Sequence, residues 1–390
     1  MIHLVSRIFL AIAILGCVSS SAYYLLCLWS ARAFLRARGA TRDLPSLSAA
    51  PPISILKPLK GIDPEIYESF RSHCRQEYPE YEIIFGVSDP GDPAIASVEQ
   101  LQKEFPSRAI RLVVCGEILG PNVKVSNLEQ MVREARYDLM IVNDSDIRVE
   151  SDYLRRVAAP LADQQVGMVT CLYRGVASPT FGSRLEALGI GTDFCAGVLV
   201  ARKLDGGLRF GLGSTLAFRR ADLDRIGGFR TLADFLADDY ELGKRIAGIG
   251  KRIVLSGVVV ETHLPSYDLS EFIDHQLRWF RGVRDARKGG YIGLLTTFGI
   301  MWALLACVAA SFAAWSLGLL ALVLLLRITL AVVMCKYVLH DEATLKSLWW
   351  LPLRDLIAVG VWLASFAGHT VTWRGDRFEL KDGRLTRLAS

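Results

Sequence analysis

Two long apolar tracts near the ends of this chain constrain its fold more than any other feature. Residues 8–29 form a near-continuous apolar run of spanning length, and residues 291–339 form a second, long enough to cross a bilayer twice. The polar stretch between them has ordinary globular composition and is large enough for one substantial α/β domain. Over 390 residues the hydrophobic content is 52% and the mean hydropathy +0.31, too apolar for an ordinary soluble protein. This layout fits a membrane-anchored enzyme better than a transporter, whose spans would dominate the chain and come in paired, broken helices.

Ala31-Arg32-Ala33 resembles a signal-peptide cleavage site, yet the first run exceeds a signal core, and Arg32, Arg36, Arg38 and Arg42 follow at once. It therefore reads as an uncleaved anchor whose basic flank places the next domain in the cytoplasm. Arg281, Arg284, Arg287 and Lys288, just before the second tract, agree with that placement. The net charge of +5 comes largely from such clusters. It points to anionic lipid headgroups and not to nucleic acid, because no base-reading module accompanies it. The eight cysteines are scattered, with no C-x-x-C pair or Cys/His metal spacing, so neither structural zinc nor a disulfide framework is expected.

The polar stretch alternates short apolar strands with helical segments. Strands are expected at 53–56, 81–87, 110–114, 138–142, 166–173 and 252–260, and helices near 65–74 and 94–105. This βαβα rhythm predicts a mostly parallel, Rossmann-like sheet covered by helices. Residues 1–31 read as a transmembrane anchor, 32–52 as a basic linker and 53–288 as the α/β domain. Residues 289–372 read as transmembrane or re-entrant segments, and 373–390 as a basic cytoplasmic tail. Residues 187–201, apolar but broken by Gly189, Gly191 and Gly197, either meet the membrane interface or pack as loop and helix within the domain. In the last apolar segment, 348–371, Pro352, Arg354 and Asp355 interrupt the run, and intramembrane charge is usually buried or functional. Four full spans would leave the N-terminus and tail outside, against the charge rule, whereas a re-entrant final segment would keep the tail inside.

The chemistry-bearing residues fall at strand ends. Asp144-Ser145-Asp146 follows the apolar strand 138–142, so two hard oxygen donors arrive together at the sheet edge where ligands of open α/β sheets bind. Such a pair can hold a divalent cation that also grips a diphosphate, the leaving group of a nucleotide sugar, although Asp-x-Asp is also common in turns. Asp89 and Asp92, in the turn after the second strand, can accept from a uracil N–H or ribose hydroxyls, or simply shape that turn. Lys124 and Asn127 offer a cation and an amide ahead of the Asp-Ser-Asp strand. Asp238 and Asp239 open a helical segment, where one carboxylate serves as an N-terminal charge and a pair suggests a general base. His275, Arg278 and Trp279 lie on a later helix with Arg281 and Arg284 on the same side. They can offer a guanidinium to a leaving diphosphate, or belong to a basic helix resting on the membrane.

In order and spacing these elements resemble the processive and lipid-directed glycosyltransferases of the GT-A fold, and more narrowly the ceramide glucosyltransferase family. The run Ser54-Ile55-Leu56-Lys57-Pro58-Leu59-Lys60-Gly61-Ile62-Asp63-Pro64 is similar to that family's opening strand and turn. Asp92-Pro93-Ala94-Ile95, Lys124 with Asn127-Leu128, Asp144-Ser145 with Ile147-Arg148-Val149, and Trp373-Arg374-Gly375 match it too. The resemblance covers residues from about 8 to 380. It implies that Asp92 and Asp144 are essential carboxylates, that Asp239 is the catalytic base, and that Arg278 and Trp279 form the closing motif. It further implies a UDP-sugar site that includes Lys57, Asp89, Asp92, Lys124, Asn127, Asp144 and Asp238, with Mg²⁺ or Mn²⁺ on Asp144 and Asp146. Two departures, His275 where the motif usually has Gln or Arg and the complete pair ending in Asp146, are more like a bacterial, hopanoid-associated branch. The implied activity is single-hexose transfer to ceramide or to a hopanoid polyol, with inversion, on the cytoplasmic face of a bacterial inner membrane. A processive polysaccharide synthase, or a non-catalytic membrane protein that binds nucleotide or lipid, are the alternatives.

Overall fold

Every residue of the strands β1 (Ile53–Pro58) and β2 (Tyr81–Val87) is buried, as strands covered on both faces must be. The computed structural model describes residues 2–40, 50–373 and 375–388. With β3 (Ala109–Val114) and β4 (Leu139–Val142) these strands form a half-sheet that is parallel throughout. The crossovers are the helices Ile66–Cys74, Ala94–Glu104 and Val123–Glu134. Each presents an apolar stripe; in Ala94–Glu104 it is Ala94, Val98 and Leu101, one residue per turn. The second half contains β5 (Ile147–Arg148), β6 (Val166–Val176), β7 (Leu216–Arg219) and β8 (Arg252–His263). The full order is β3-β2-β1-β4-β7-β6-β8-β5. β7 runs antiparallel to both β4 and β6, so strand direction reverses beside β4, the strand that delivers Asp144.

All six expected strands are present, with β1, β6 and β8 running further than their apolar cores. β5 and β7, two and four residues long, are too short to show a period in sequence. All eight cysteines are buried and none is in a disulfide.

The sheet belongs to one compact unit, the described parts of Ala37–Ser178, Ala201–Pro265 and Gly383–Ser390. The described parts of Met1–Arg36, Pro179–Val200 and Ser266–Asp382 form another. Residues 179–200 and 266–288, read from sequence as part of a 53–288 domain, thus group with the apolar helices. Three helices there are long and apolar enough to cross a membrane: Ser6–Gly39, Ala314–Val338 and Leu348–Ser365. The pair Lys288–Thr297 and Gly299–Ala309, bent by 55°, makes a fourth if it counts as one span. The first helix continues past residue 31, where a linker was expected, to Ala40, because its Ala, Leu and Arg residues are all strong helix formers. Arg42 and Arg374 lie outside the described residues.

Residues 187–201 are helical. Phe181–Gly189 passes through a wider π turn, Ile190–Phe194, into Cys195–Leu204. The charges in the last apolar helix are paired, as charge in a membrane segment must be. Arg327, 1% exposed, bonds to both oxygens of Asp355 at 2.8 Å and to Asp193 at 2.7 Å, and Arg354 contacts the other oxygen of Asp193. Arg281 and Arg284 are engaged largely by backbone. They donate to carbonyls of Ser365, Ala367, Gly368 and Thr370, the negative end of the helix Leu351–Ser365 and the turn after it. Their guanidinium groups are thus engaged within this unit. The tail is not a plain basic extension, since β9 (Thr370–Trp373) and β10 (Asp376–Lys381) pair antiparallel.

Candidate active site

β4 ends in Asn143, a fully buried side chain whose Nδ2 donates to Tyr153 Oη at 2.9 Å and to the Ser214 carbonyl at 2.7 Å. Those bonds pin the loop before β7 beside the tip of β4, where Asp144 emerges. Asp144 Oδ1 pairs with Lys124 Nζ at 2.6 Å. A Cβ built on Gly213 would lie 3.0 Å from Asp144 Oδ2 and 3.3 Å from Asp239 Oδ2, so the two carboxylates converge on a glycine. Gly213 N–H also donates to Asp239 Oδ2 at 2.7 Å, and Tyr240 N–H donates to Oδ1 at 2.7 Å. Asp238 and Asp239 open the helix Asp238–Gly248, where free N–H groups favour negative charge. Gly243 in that helix leaves room for the loop, because a Cβ there would sit 2.2 Å from Gly211 N.

Lys124 links the parts. Its Nζ reaches Asp238 Oδ2 at 3.3 Å as well as Asp144, and Asn122, which caps its helix through Val125 N–H, donates to Asp238 at 3.4 Å. Asp146 accepts from the Thr262 hydroxyl at the end of β8, and its carbonyl accepts from His263 N–H at 3.4 Å. Ser145 donates to Asp63.

The electrostatics follow from burial and crowding. Burial and the Asp238 charge hold the Asp239 carboxyl above the usual carboxylate range, with Lys124 opposing them. Burial, with Asp144 adding to it, pushes Asp146 up to about 6. Burial disfavours charge on Lys124, but Asp144, Asp238 and Asp239 outweigh it and its pKa is raised. Burial pushes Lys57 down to about 7 against the pull of Asp146, Asp144 and Asp63.

The structure therefore brings Asp144, Asp146, Lys124, Asp238 and Asp239 into one cluster. Lys57 needs correction as a ligand contact: it is fully buried and donates to the Asp144 carbonyl at 2.9 Å, so it supports the loop from below. Asp92 spends its carboxylate on Gly61 N–H at 2.9 Å and Ala94 N–H at 2.9 Å, tying the turn after β1 to the start of a helix. Asp89 is exposed and accepts from Gly91 N–H within its own turn. Asn127 is buried, and its Oδ1 has no partner among the described residues. His275, Arg278 and Trp279 lie in the other unit, on the helix Leu269–Ala286, which opens with a capping box from Asp268 and Glu271. There His275 Nδ1 is 3.3 Å from the buried Glu186, stacks on Tyr267 at 5.3 Å and tilts against Trp279 at 6.1 Å. Gln276 donates to the same Glu186 oxygen at 2.7 Å. Burial pushes the Glu186 carboxyl up, but His275 and Gln276 more than offset this and its pKa is lowered.

Gly213, Thr262 and Glu186 escaped the sequence reading. Gly211-Leu212-Gly213 ahead of a short apolar run was the available signal for the loop. Thr262 and Glu186 carry none, since their partners are remote in the chain.

The donor set suits a hard divalent cation held in part by a ligand. Asp144 and Asp146 supply carboxylate oxygens, and among the described residues no group of three or more His, Cys, Asp or Glu forms a cage. Burial holds the Asp146 carboxyl high, a strain that an added cation would relieve.

Sheet, strand reversal and carboxylate cluster together define a glycosyltransferase of the GT-A fold. A mannosyltransferase from Pyrobaculum calidifontis, solved in complex with GDP-Man and Mn2+, has the same fold, with a TM-score of 0.53 and 20% identity over 92% of this chain and 99% of that one. The chain belongs to glycosyl transferase family 21, whose profile matches residues 12–386. It is similar to ceramide glucosyltransferase 3 of Caenorhabditis elegans, 28% identical over 60% of this chain and 51% of that protein. It is also similar to ceramide glucosyltransferase 1 of the same organism, 26% identical over 70% and 58%. The chain thus spans little more than half the length of these curated relatives.

Proposed function

We propose that this chain is a membrane-bound inverting glycosyltransferase that moves one hexose from a UDP-sugar to a hydroxyl of a membrane lipid, ceramide being the first acceptor to test. The observation that carries the reading is the convergence of Asp144 and Asp239 on Gly213 with Lys124 between the acidic groups. The similarity to ceramide glucosyltransferases supports the acceptor class.

Asp239 is suited to take the acceptor proton. Its raised pKa brings it closer to neutral than an ordinary carboxylate, where a base and its conjugate acid are both useful. Gly213 N–H and Tyr240 N–H fix its two oxygens. The acceptor oxygen attacks the anomeric carbon as the bond to the diphosphate breaks, its proton passes to Asp239, and the configuration inverts without a covalent enzyme intermediate. Asp144 and Asp146 would hold Mg²⁺ or Mn²⁺, which supplies positive charge against the diphosphate. Lys124, already among three carboxylates, is placed to turn toward phosphate oxygens. Arg278 as a further leaving-group cation, Trp279 as an acceptor wall and His275 beside them are proposed on the closing motif alone. The apolar helices hold the enzyme in the membrane that supplies its acceptor.

The test incubates the full chain with Mg²⁺ and UDP-glucose or UDP-N-acetylglucosamine, offers ceramide and bacteriohopanetetrol in parallel, and reads the lipids by mass spectrometry. Glucosylceramide supports the first reading, and a glycosylated hopanoid moves the acceptor. Products longer than one sugar refute single transfer. Asp239→Asn should abolish transfer and leave UDP binding within about twofold, since the base does not touch the nucleotide.

A further inference from the structure

A cavity of about 440 Å³ lies in the unit of apolar helices, within the size range of small-molecule sites. Its apolar wall is Tyr291, Ile292 and Phe366; Ile292 is 60% and Phe366 49% exposed. Its cationic side is Arg284, Lys288 and Lys381, with His369 near them and Asp285 and Asp382 as the opposing carboxylates. Three permanent cations against two carboxylates leave a net positive lining.

These cations differ in commitment. Arg284 is anchored on the Gly368 carbonyl at 3.2 Å and on His369 Nδ1 at 3.0 Å. Lys288 is 2.9 Å from Asp382, an exposed pair that water and salt weaken. The Lys381 ammonium is exposed and makes no hydrogen bond or ion pair among the described residues. The cavity also sits at the ends of two candidate membrane segments. Lys288 opens the bent pair, and Phe366 follows Leu348–Ser365. An apolar wall at the ends of candidate membrane segments, beside an exposed ammonium with no hydrogen bond or ion pair among the described residues, complements a lipid with an anionic headgroup.

We infer that this cavity binds one anionic phospholipid from the surrounding bilayer, its phosphate on Lys381 and Lys288 and an acyl chain along Ile292 and Phe366. The inference rests on the reading of these helices as membrane segments. A lipid seated there also steadies the last turn of Leu269–Ala286, because Arg284 and Asp285 belong to that helix, which carries His275, Arg278 and Trp279.

Native mass spectrometry of the full chain in detergent, supplied with phosphatidylglycerol or phosphatidylcholine, tests it. One phosphatidylglycerol should be retained with a preference of about tenfold, and Lys381→Gln should remove most of that preference. Arg36→Gln, in the other basic flank, should keep it. Lys381→Gln breaks no side-chain hydrogen bond or ion pair among the described residues, so a folding failure will not obscure the result. Equal retention of both lipids, an unchanged preference in Lys381→Gln, or complete displacement by millimolar inorganic phosphate would each overturn the site. The readout is independent of transfer, so an enzyme inactive on every acceptor but retaining the lipid would refute the proposed reaction and not this site. A chain that stays monodisperse without detergent would refute the membrane reading beneath both.

Discussion

The buried charge cluster around Arg327 gives the most quantitative prediction. Replacing Arg327 by Met removes two bonds of 2.8 Å to Asp355 and one of 2.7 Å to Asp193. Asp193 keeps Arg354, but among the described residues Asp355, a side chain only 10% exposed, retains only a contact of 3.8 Å to Arg354 as an ion pair. An uncompensated buried carboxylate costs about 3–5 kcal/mol, far more than one lost surface pair. The double variant Arg327→Met/Asp355→Leu removes both members and leaves Asp193 with Arg354, so most of the loss should return. The expected coupling between the two sites is therefore at least about 2 kcal/mol. Thermal unfolding of detergent-solubilised protein, followed by tryptophan fluorescence, reads this as a midpoint fall of roughly 5–15 °C for the single variant. The double variant should recover more than half of that fall. A single variant within about 2 °C of the parent would show that the charges are not desolvated as the structure places them. A double variant as unstable as the sum of the singles would show that Arg327 and Asp355 act independently.

Three further outcomes follow from the site and its supports. Gly243→Ala drives a Cβ into the backbone at Phe210 and Gly211, so it should cost about 1–3 kcal/mol and lower transfer at least tenfold, read by thermal melts and initial rates. A pH–rate profile should show an acid limb well above ~3.9, because Asp239 loses its basic form as pH falls through a raised pKa; a limb at ordinary Asp values removes it as the base. Glu186→Leu leaves the Gln276 amide buried without its acceptor, at a cost of about 1–3 kcal/mol in thermal melts, and frees His275. If kcat stays at the parent level while stability falls, His275 is structural.

What the sequence by itself determined was local. Apolar runs of spanning length, the βαβα rhythm and the carboxylates at strand ends are all written in neighbouring residues, because strand period, helix stripe and hydropathy are properties of short windows. Asp144, Asp146, Asp238 and Asp239 could be singled out for the same reason. Which of the candidates meet depended on residues far apart in the chain. Asn143 pins Ser214, Gly213 admits Asp144 and Asp239 together, and Thr262 holds Asp146, none of which a window can register. Burial decided the rest. Lys57 and Asp92 look like ligand contacts in sequence, yet packing turns one beneath the site and spends the other on backbone N–H groups. Arg281 and Arg284 look like a charged surface until carbonyls of the last helix and its following turn take up their guanidinium groups. A charged side chain declares its chemistry in sequence, but only the fold determines which partner neutralises it, because the desolvation that makes a partner necessary exists only once the chain is packed.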